Sequence, residues 1–172
     1  MILRGRSTLL LLVAASLGRP LMAQETPPRY PCNVIRVVDG DTIHCLQDKD
    51  TLKVRLLGID APEMDQGRYG KRARTALALL LPLRRKVWLE LDVQEQDVYG
   101  RLLAFIWTRE DLLVNEEMLR EGFALVDVRP PNVKYEDVLR EAAAQARRSR
   151  RELWATSAFE CTPSDFRHHL CE

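Results

Sequence analysis

Residues 33–59 contain three short apolar segments separated by turn residues, a pattern typical of β-strands. The turns between these segments are tight, so the three strands are predicted to form a meander. The turn Asp39-Gly40 is a strong hairpin signal because both residue types tolerate positive φ. The predicted strands cover residues 33–38, 42–46 and 51–59, the last with Leu52, Val54 and Leu56 pointing inward.

The hydrophobic period then changes from two to that of a helix. Apolar residues mark one face of Tyr69 to Leu80, and Pro82 limits the helix end. Two further strands (87–91 and 102–107), a short helix (114–121) and a longer amphipathic helix (135–154) follow. Five strands with one helix inserted after the third predict an α+β chain, a five-stranded OB-fold β-barrel with about three α-helices.

The N-terminus has the pattern of a secretory signal peptide. Arg4 and Arg6 precede an apolar run that is far too short to span a bilayer, and Ala23 offers a small residue at a cleavage position. We therefore divide the chain into a signal peptide (1–23), a flexible lead (24–32), one OB-fold domain (33–156) and a C-terminal tail (157–172). The mature protein is expected in the periplasm or the medium, as a monomer without stable membrane insertion.

Loss of the signal segment changes the charge of the chain. The full sequence has 26 basic and 25 acidic residues, and residues 1–23 contain three arginines and no acid, so the mature chain is near −2. Such a balance argues against binding duplex nucleic acid by bulk positive charge. The basic run Arg147 to Arg151 lies off the apolar stripe of its helix, which favours a solvated surface over the alternative of a nucleic-acid site.

All four cysteines, Cys32, Cys45, Cys161 and Cys171, lie in the mature chain. An even count in an exported protein indicates two disulfides, and three pairings are possible. We favour 32–45 with 161–171, since the first two fall on paired strands and the last two close a short tail loop. A metal site using His168, His169 and Cys171 is the alternative, but its spacing fits no standard zinc pattern.

Acidic residues and an arginine cluster around the second and third strands. Asp41 follows the hairpin turn, Asp60 and Glu63 follow the third strand, and Arg55 lies inside that strand among apolar residues. Carboxylates hold hard cations, a guanidinium stabilises a phosphate that gains charge, and a carboxylate can accept a proton from an attacking water. An arginine in an apolar strand needs an anionic partner. The pattern indicates chemistry on a phosphodiester.

Five segments carry a resemblance to a known family: VVDGDTIHC, VRLLGIDAPE, YGKRA, DVYGRLLAFIW and LVNEEMLREGFALV. Their order and spacing resemble the thermonuclease family, typified by staphylococcal nuclease, from about Val34 to Trp154. The resemblance implies a Ca²⁺-dependent nuclease that hydrolyses DNA and also RNA with a metal-activated water.

The family resemblance also implies residue roles. Asp41 and Asp60 would bind the calcium ion with their side chains and Ala61 with its main-chain carbonyl, and Glu63 would be the general base. Arg55 and Arg101 would bind the reacting phosphate as two planar forks, which lysine would not match.

The chain departs from the family pattern beside the reacting centre. Val98 replaces a lysine, and residues 127–129 replace a segment with two tyrosines that flank the bound nucleotide. Tyr99 remains as a stacking surface. We therefore expect weaker or different binding of the base and the terminal phosphate.

Two other functions compete with the nuclease. OB-folds also occur as catalytically silent modules that bind nucleic acid or protein, but these usually lose the metal carboxylates or the arginines. A structural envelope domain would leave Arg55 without an explanation.

Overall fold

The computed structural model describes residues 27–109 and 111–171. The predicted signal peptide lies outside the described residues. The elements in chain order are β1 (Arg29–Val37), β2 (Thr42–Gln47), β3 (Asp50–Leu56), β4 (Gly58–Asp60), α1 (Arg68–Leu80), β5 (Lys86–Glu90), β6 (Leu102–Trp107), α2 (Val114–Arg120), β7 (Leu125–Asp127), α3 (Glu136–Arg148) and α4 (Pro163–Arg167), with 3₁₀ turns at Met64–Gln66 and Glu152–Ala155.

Five strands close into a barrel in the order β1-β2-β3-β6-β5. The β3–β6 pair is parallel, the other neighbours are antiparallel, and β5 closes the barrel onto β1. The α1 helix is inserted between the strands of the meander and the last two barrel strands, so the predicted α+β OB-fold is confirmed. Alternating side chains fill the interior, among them Val54, Leu56, Leu89 and Ile106, each at most 1% exposed.

The barrel begins earlier than the sequence predicted. Strand β1 starts at Arg29, inside the segment interpreted as a flexible lead, and Arg29 to Asn33 pair with β5. The hydrogen bonds that make this segment a strand come from β5, which is distant in the sequence, so the local sequence did not predict them. Cys32 and Cys45 lie buried in the barrel wall and form one disulfide, and Cys161 and Cys171 form the second, as favoured above.

The predicted third strand is divided in the structure. The chain turns at Leu57, and Gly58 adopts a φ of +75°, a conformation that suits glycine. Residues 58–60 then form β4, which leaves the barrel and pairs with β7 instead. The sequence did not predict this break because Ile59 beyond it is also buried, so the alternation of apolar residues continues through it. The turn nevertheless carries Asp60 away from β3.

The long C-terminal helix is shorter than predicted. Helix α3 ends at Arg148. Leu153, which the sequence placed on the apolar stripe of the same helix, is buried but belongs to a separate 3₁₀ turn. The backbone of Arg151 passes so close to Gly122 that a Cβ there would lie 2.5 Å from the Arg151 carbonyl oxygen. Helix α4 in the tail was not predicted. In the part of the chain that the structure describes, no helix has the length and apolar character needed to cross a membrane.

Candidate active site

A cleft of about 390 Å³ brings together residues from distant parts of the sequence. Its lining includes five of the predicted site residues: Asp41, Arg55, Glu63, Tyr99 and Arg101. Asp60 and Ala61, at 5% and 3% exposure, are buried at the end of β4.

The turn between β1 and β2 places Asp41. Its backbone N–H donates to the Asp39 carboxylate at 3.0 Å, and its carbonyl accepts from the Leu56 N–H at 2.8 Å. One carboxylate oxygen accepts from the Ala61 N–H at 2.8 Å and the other from the Thr42 hydroxyl at 3.1 Å. The side chain is therefore fixed between β2, β3 and the residue that follows Asp60.

Gly40 is required in this turn for a reason other than the one predicted. Neither Asp39 nor Gly40 adopts positive φ. A Cβ on Gly40 would instead lie 2.5 Å from the Ala61 Cβ and 2.7 Å from the Ala73 Cβ. The absence of a side chain lets the turn, the end of β4 and α1 approach closely, which brings Asp41 next to Ala61.

Arg55 connects the two aspartates. It lies on β3 opposite Thr42 and is 14% exposed at the side chain. Its Nη1 is 3.0 Å from Asp41 Oδ1, and its Nη2 is 3.3 Å from Asp60 Oδ1. The anionic partners that an arginine in an apolar strand needs are thus supplied by the protein itself. They also hold the guanidinium at the cleft surface.

Burial raises the pKa of Asp41 to about 7. The Arg55 guanidinium and the Ala61 hydrogen bond oppose that rise, whereas the negative charges of Asp39 and Asp60 add to it. A nearby cation would therefore favour the ionised form of Asp41 against the cost of burial.

Glu63 lies beside Asp60 on the segment that leads into α1. Its backbone N–H donates to the Gln66 side chain at 2.8 Å and so starts the 3₁₀ turn. Gly70 of α1 packs against this segment so tightly that a Cβ would lie 2.0 Å from the Glu63 carbonyl oxygen. The glycine of the YGKRA motif therefore sets the position of the Glu63 backbone.

Arg101 and Tyr99 also line the cleft, from the loop that leads into β6. Asp97 holds Arg101 through a 2.7 Å contact with its Nε and also accepts from the backbone N–H groups of Tyr99 and Arg101. Burial would raise the pKa of Asp97, but these hydrogen bonds outweigh it and lower that pKa. The Arg101 guanidinium lies 5.5 Å from the centre of the Tyr99 ring, which is itself exposed.

Arg167 is a site residue that the sequence did not reveal. It comes from α4 in the tail, where its Nη1 and Nη2 each lie 3.0 Å from an oxygen of Asp60, and Nη1 also lies 2.6 Å from Glu63 Oε1. These contacts raise the pKa of the Arg167 guanidinium. The sequence signal was weak: a single arginine inside the loop closed by Cys161 and Cys171, more than 100 residues from its partners.

The alternative tail metal site does not form. Cys161 and Cys171 are joined in a disulfide, and the His168 ring contacts the Ser164 carbonyl at 2.7 Å. Within residues 27–109 and 111–171, no group of three or more His, Cys, Asp or Glu side chains is arranged to hold a metal ion. The basic run is exposed, and Arg148 and Arg151 pair with Glu141 and Glu121.

Comparison with known proteins gives consistent results. The family model described as staphylococcal nuclease homologue matches residues 53–156. A thermonuclease of Staphylococcus hyicus is 37% identical over 127 residues, which cover 71% of this chain and 74% of that protein. Protein ParB of Escherichia coli is 38% identical over 71% of each chain. Endonuclease YhcR of Bacillus subtilis is 32% identical over 78% of this chain, which spans 12% of that larger protein.

Proposed function

This chain belongs to the staphylococcal nuclease homologue family and is a nuclease that hydrolyses phosphodiester bonds, and we propose that it is an exported, calcium-dependent enzyme acting on DNA and RNA. The observation that supports this proposal is the convergence of Asp41, Glu63 and two oriented arginines on one cleft, with the buried Asp60 3.3 Å from Arg55. A nuclease needs such a set because phosphodiester hydrolysis requires a positioned water, a base and stabilisation of charge on phosphorus.

The donor set fits a hard divalent cation. Asp41 and Asp60 supply buried carboxylate oxygens, and guanidinium groups lie within 3.0 to 3.3 Å of both. Oxygen ligands of this kind, completed by the Ala61 carbonyl and by water, suit Ca²⁺. When bound, the ion would supply a Lewis-acid contact to the phosphate and lower the pKa of a nearby water. Mg²⁺ suits such a site less because it requires a tighter octahedral shell.

Arg55 and Arg101 would bind the non-bridging oxygens of the reacting phosphate from two sides. Each guanidinium is held by an aspartate at 3.3 Å or less, so its orientation is fixed before the substrate arrives. Donors fixed in advance stabilise charge as it develops without a reorganisation cost in the transition state. Both arginines retain N–H groups that these carboxylates do not use, since a guanidinium has five.

Glu63 would accept the proton of the attacking water. Its side chain is 34% exposed and lines the cleft, so water reaches it. Tyr99, which is 80% exposed, offers a ring face on which a base can stack. In place of the two family tyrosines, Asp127 and Arg129 pair with each other at 2.8 Å. The protein would therefore hold a nucleotide by one aromatic face and by charge.

Export is proposed from the cysteines and the leader pattern together. Both pairs of cysteines form disulfides, which persist in oxidising compartments. The proposed mature protein starts at residue 24 and contains one nuclease domain, which begins with the barrel strand at Arg29 and ends at residue 156, followed by the disulfide-closed tail. We propose that it acts as a monomer in the periplasm or the medium.

A cleavage assay tests the proposed function. Residues 24–172 would be incubated with labelled single-stranded DNA, double-stranded DNA and RNA in Ca²⁺, in Mg²⁺ and in chelator. We expect cleavage of all three in Ca²⁺, little in Mg²⁺ and none in chelator. Arg148→Gln, at an exposed ion pair outside the cleft, is the matched control. Equal cleavage in chelator would show that the metal-dependent mechanism is wrong.

A further inference from the structure

The Arg167 guanidinium occupies the carboxylates on which calcium binding depends. It forms a two-pronged ion pair with both oxygens of Asp60 and a third contact with Glu63, at 2.6 to 3.0 Å. Paired N–H donors of this kind form the strongest side-chain ion pairs. Asp60 is 6% exposed at its side chain, and Arg55 and Arg167 both cover it.

A divalent ion and this guanidinium need the same oxygens. Coordination by Asp60 uses the carboxylate lone pairs that Arg167 now occupies, and two positive groups at that distance repel each other. On the premise of the proposed function, we propose that Arg167 is a built-in cation that competes with the divalent metal for Asp60 and Glu63. Metal binding displaces Arg167, and the strength of its contacts sets the metal concentration at which the enzyme is active.

The position of Arg167 permits displacement of the side chain while the tail stays in place. The side chain is 38% exposed, so a short swing brings the guanidinium into water. The backbone of the tail is held by the Cys161–Cys171 disulfide and by a 3.1 Å hydrogen bond from the Gln66 side chain to the Cys161 carbonyl. A tethered competitor acts at high effective concentration, and here the tether is the tail.

The same contacts have a role in the cation-free protein. Asp41, Asp60 and Glu63 place three carboxylates around two guanidinium groups, and Arg55 contacts the first two. Arg167 supplies the second positive group and is the partner of Glu63. The folded protein therefore does not depend on metal to limit repulsion among these carboxylates. Removal of Arg167 would weaken the apo protein and strengthen metal binding.

Calorimetric titration with CaCl₂ tests the competition without reference to cleavage. We compare wild type, Arg167→Gln and Arg167→Lys at about 0.15 M salt, where remote surface charges are screened. Arg167→Gln should bind Ca²⁺ at least about tenfold more tightly, since the competing state is removed. Arg167→Lys keeps the charge but loses the paired donors, so its affinity should lie between the two.

Arg129→Gln is the matched control for charge. It removes the same positive charge from the same cleft, but Arg129 forms its ion pair with Asp127 and acts on Asp60 through its charge alone. Its calcium affinity should change far less than that of Arg167→Gln.

In thermal melts, Arg167→Gln should unfold at a lower temperature than wild type in chelator, and Ca²⁺ should raise its melting temperature by more than it raises that of wild type.

The tail tether gives a second variant. Replacing Cys161 and Cys171 by serine loosens the loop that carries Arg167, so calcium affinity should rise, by less than in Arg167→Gln. Combining both changes should add little beyond Arg167→Gln alone, because the two act through one contact. Full additivity would contradict the tether.

Two results would overturn the competition. The first is a calcium affinity in Arg167→Gln that equals or falls below that of wild type; if cleavage is lost as well, Arg167 is a catalytic group instead. The second is a tighter affinity matched by Arg129→Gln, because general charge would then explain it. Failure of the proposed function looks different: wild type would bind no Ca²⁺ and cleave in chelator.

Discussion

Glu90 and Asp41 are both buried acids in this barrel, but their surroundings differ in the balance of charge. Glu90 is 0% exposed and meets three donors: Arg29 at 3.1 Å, Lys134 at 2.7 Å and the Tyr135 hydroxyl at 2.7 Å. Burial alone would raise the pKa of Glu90, but these hydrogen bonds outweigh it and lower that pKa. In this cluster two positive side chains balance one carboxylate. We call such a cluster complete.

The Asp41 cluster has the opposite balance. Three carboxylates share two guanidinium groups, and one of these comes from the tail. Burial here raises the pKa of Asp41 to about 7. Burial alone therefore does not decide the charge state of an acid in this barrel, since the hydrogen bonds and positive partners around it decide whether its pKa falls or rises.

The largest expected effect distinguishes the two clusters directly. Asp41→Asn removes the charge of a proposed calcium ligand and should abolish calcium-dependent cleavage. Its amide oxygen can still accept from the Ala61 N–H, and one repulsion is lost, so apo stability should equal or exceed that of wild type. Cleavage assays and urea unfolding in chelator measure both quantities. Full calcium-dependent activity would remove Asp41 from the site.

Glu90→Gln should show the reverse pattern. Loss of the central charge leaves Arg29 and Lys134 without a counter-ion, and we expect a loss of about 3 kcal/mol, near the lower end for a broken buried pair. Both basic side chains are near one-third exposed and can turn toward water. Turnover below the melting temperature should stay near that of wild type. A large loss of turnover with unchanged stability would contradict the structural role.

Substitution of either arginine that we propose to bind the phosphate should lower turnover more than it lowers stability. Arg55→Gln and Arg101→Gln should each lower turnover about 10²-fold or more, the scale for one oriented charge-stabilising donor. Circular dichroism and thermal melts establish that the variants fold, and Arg148→Gln provides the control. Wild-type turnover in both folded variants would refute the assignment.

The smallest effect is the pH dependence of stability, and the two clusters should have opposite signs. The folded pKa of Glu90 is lowered, so its stabilisation is present above the unfolded pKa near 4.5 and is lost as pH falls through the folded pKa. The folded pKa of Asp41 is raised, so its contribution is greatest below 3.8 and is lost as pH rises to about 7.

Urea unfolding of the metal-free protein across pH 3–8 checks these signs. Relative to wild type, Glu90→Gln should lose the acid-side dependence, whereas Asp41→Asn should gain stability toward neutral pH. The same pH profile for both variants would mean that the two clusters do not differ as described.

The local sequence was sufficient for most of the elements and for the residues that the structure brings together around the cleft. Periodicity predicted β2, α1, β6 and α2 to within one or two residues, because each buries a regular face against the barrel. It failed where burial continued across a break. Ile59 and Leu153 are both buried, yet each lies beyond a turn that leaves the preceding element.

The sequence by itself determined the barrel, the nuclease family and the set of acids and arginines near the cleft, because these depend on short-range spacing and on residue type. Tertiary structure alone decided two further points. Gly40 is needed because the backbone of three elements converges there, not because of its φ. Arg167 reaches Asp60 because a disulfide-closed tail folds back over the cleft. Contacts between residues so far apart follow from the packing of the whole chain, which no local pattern encodes.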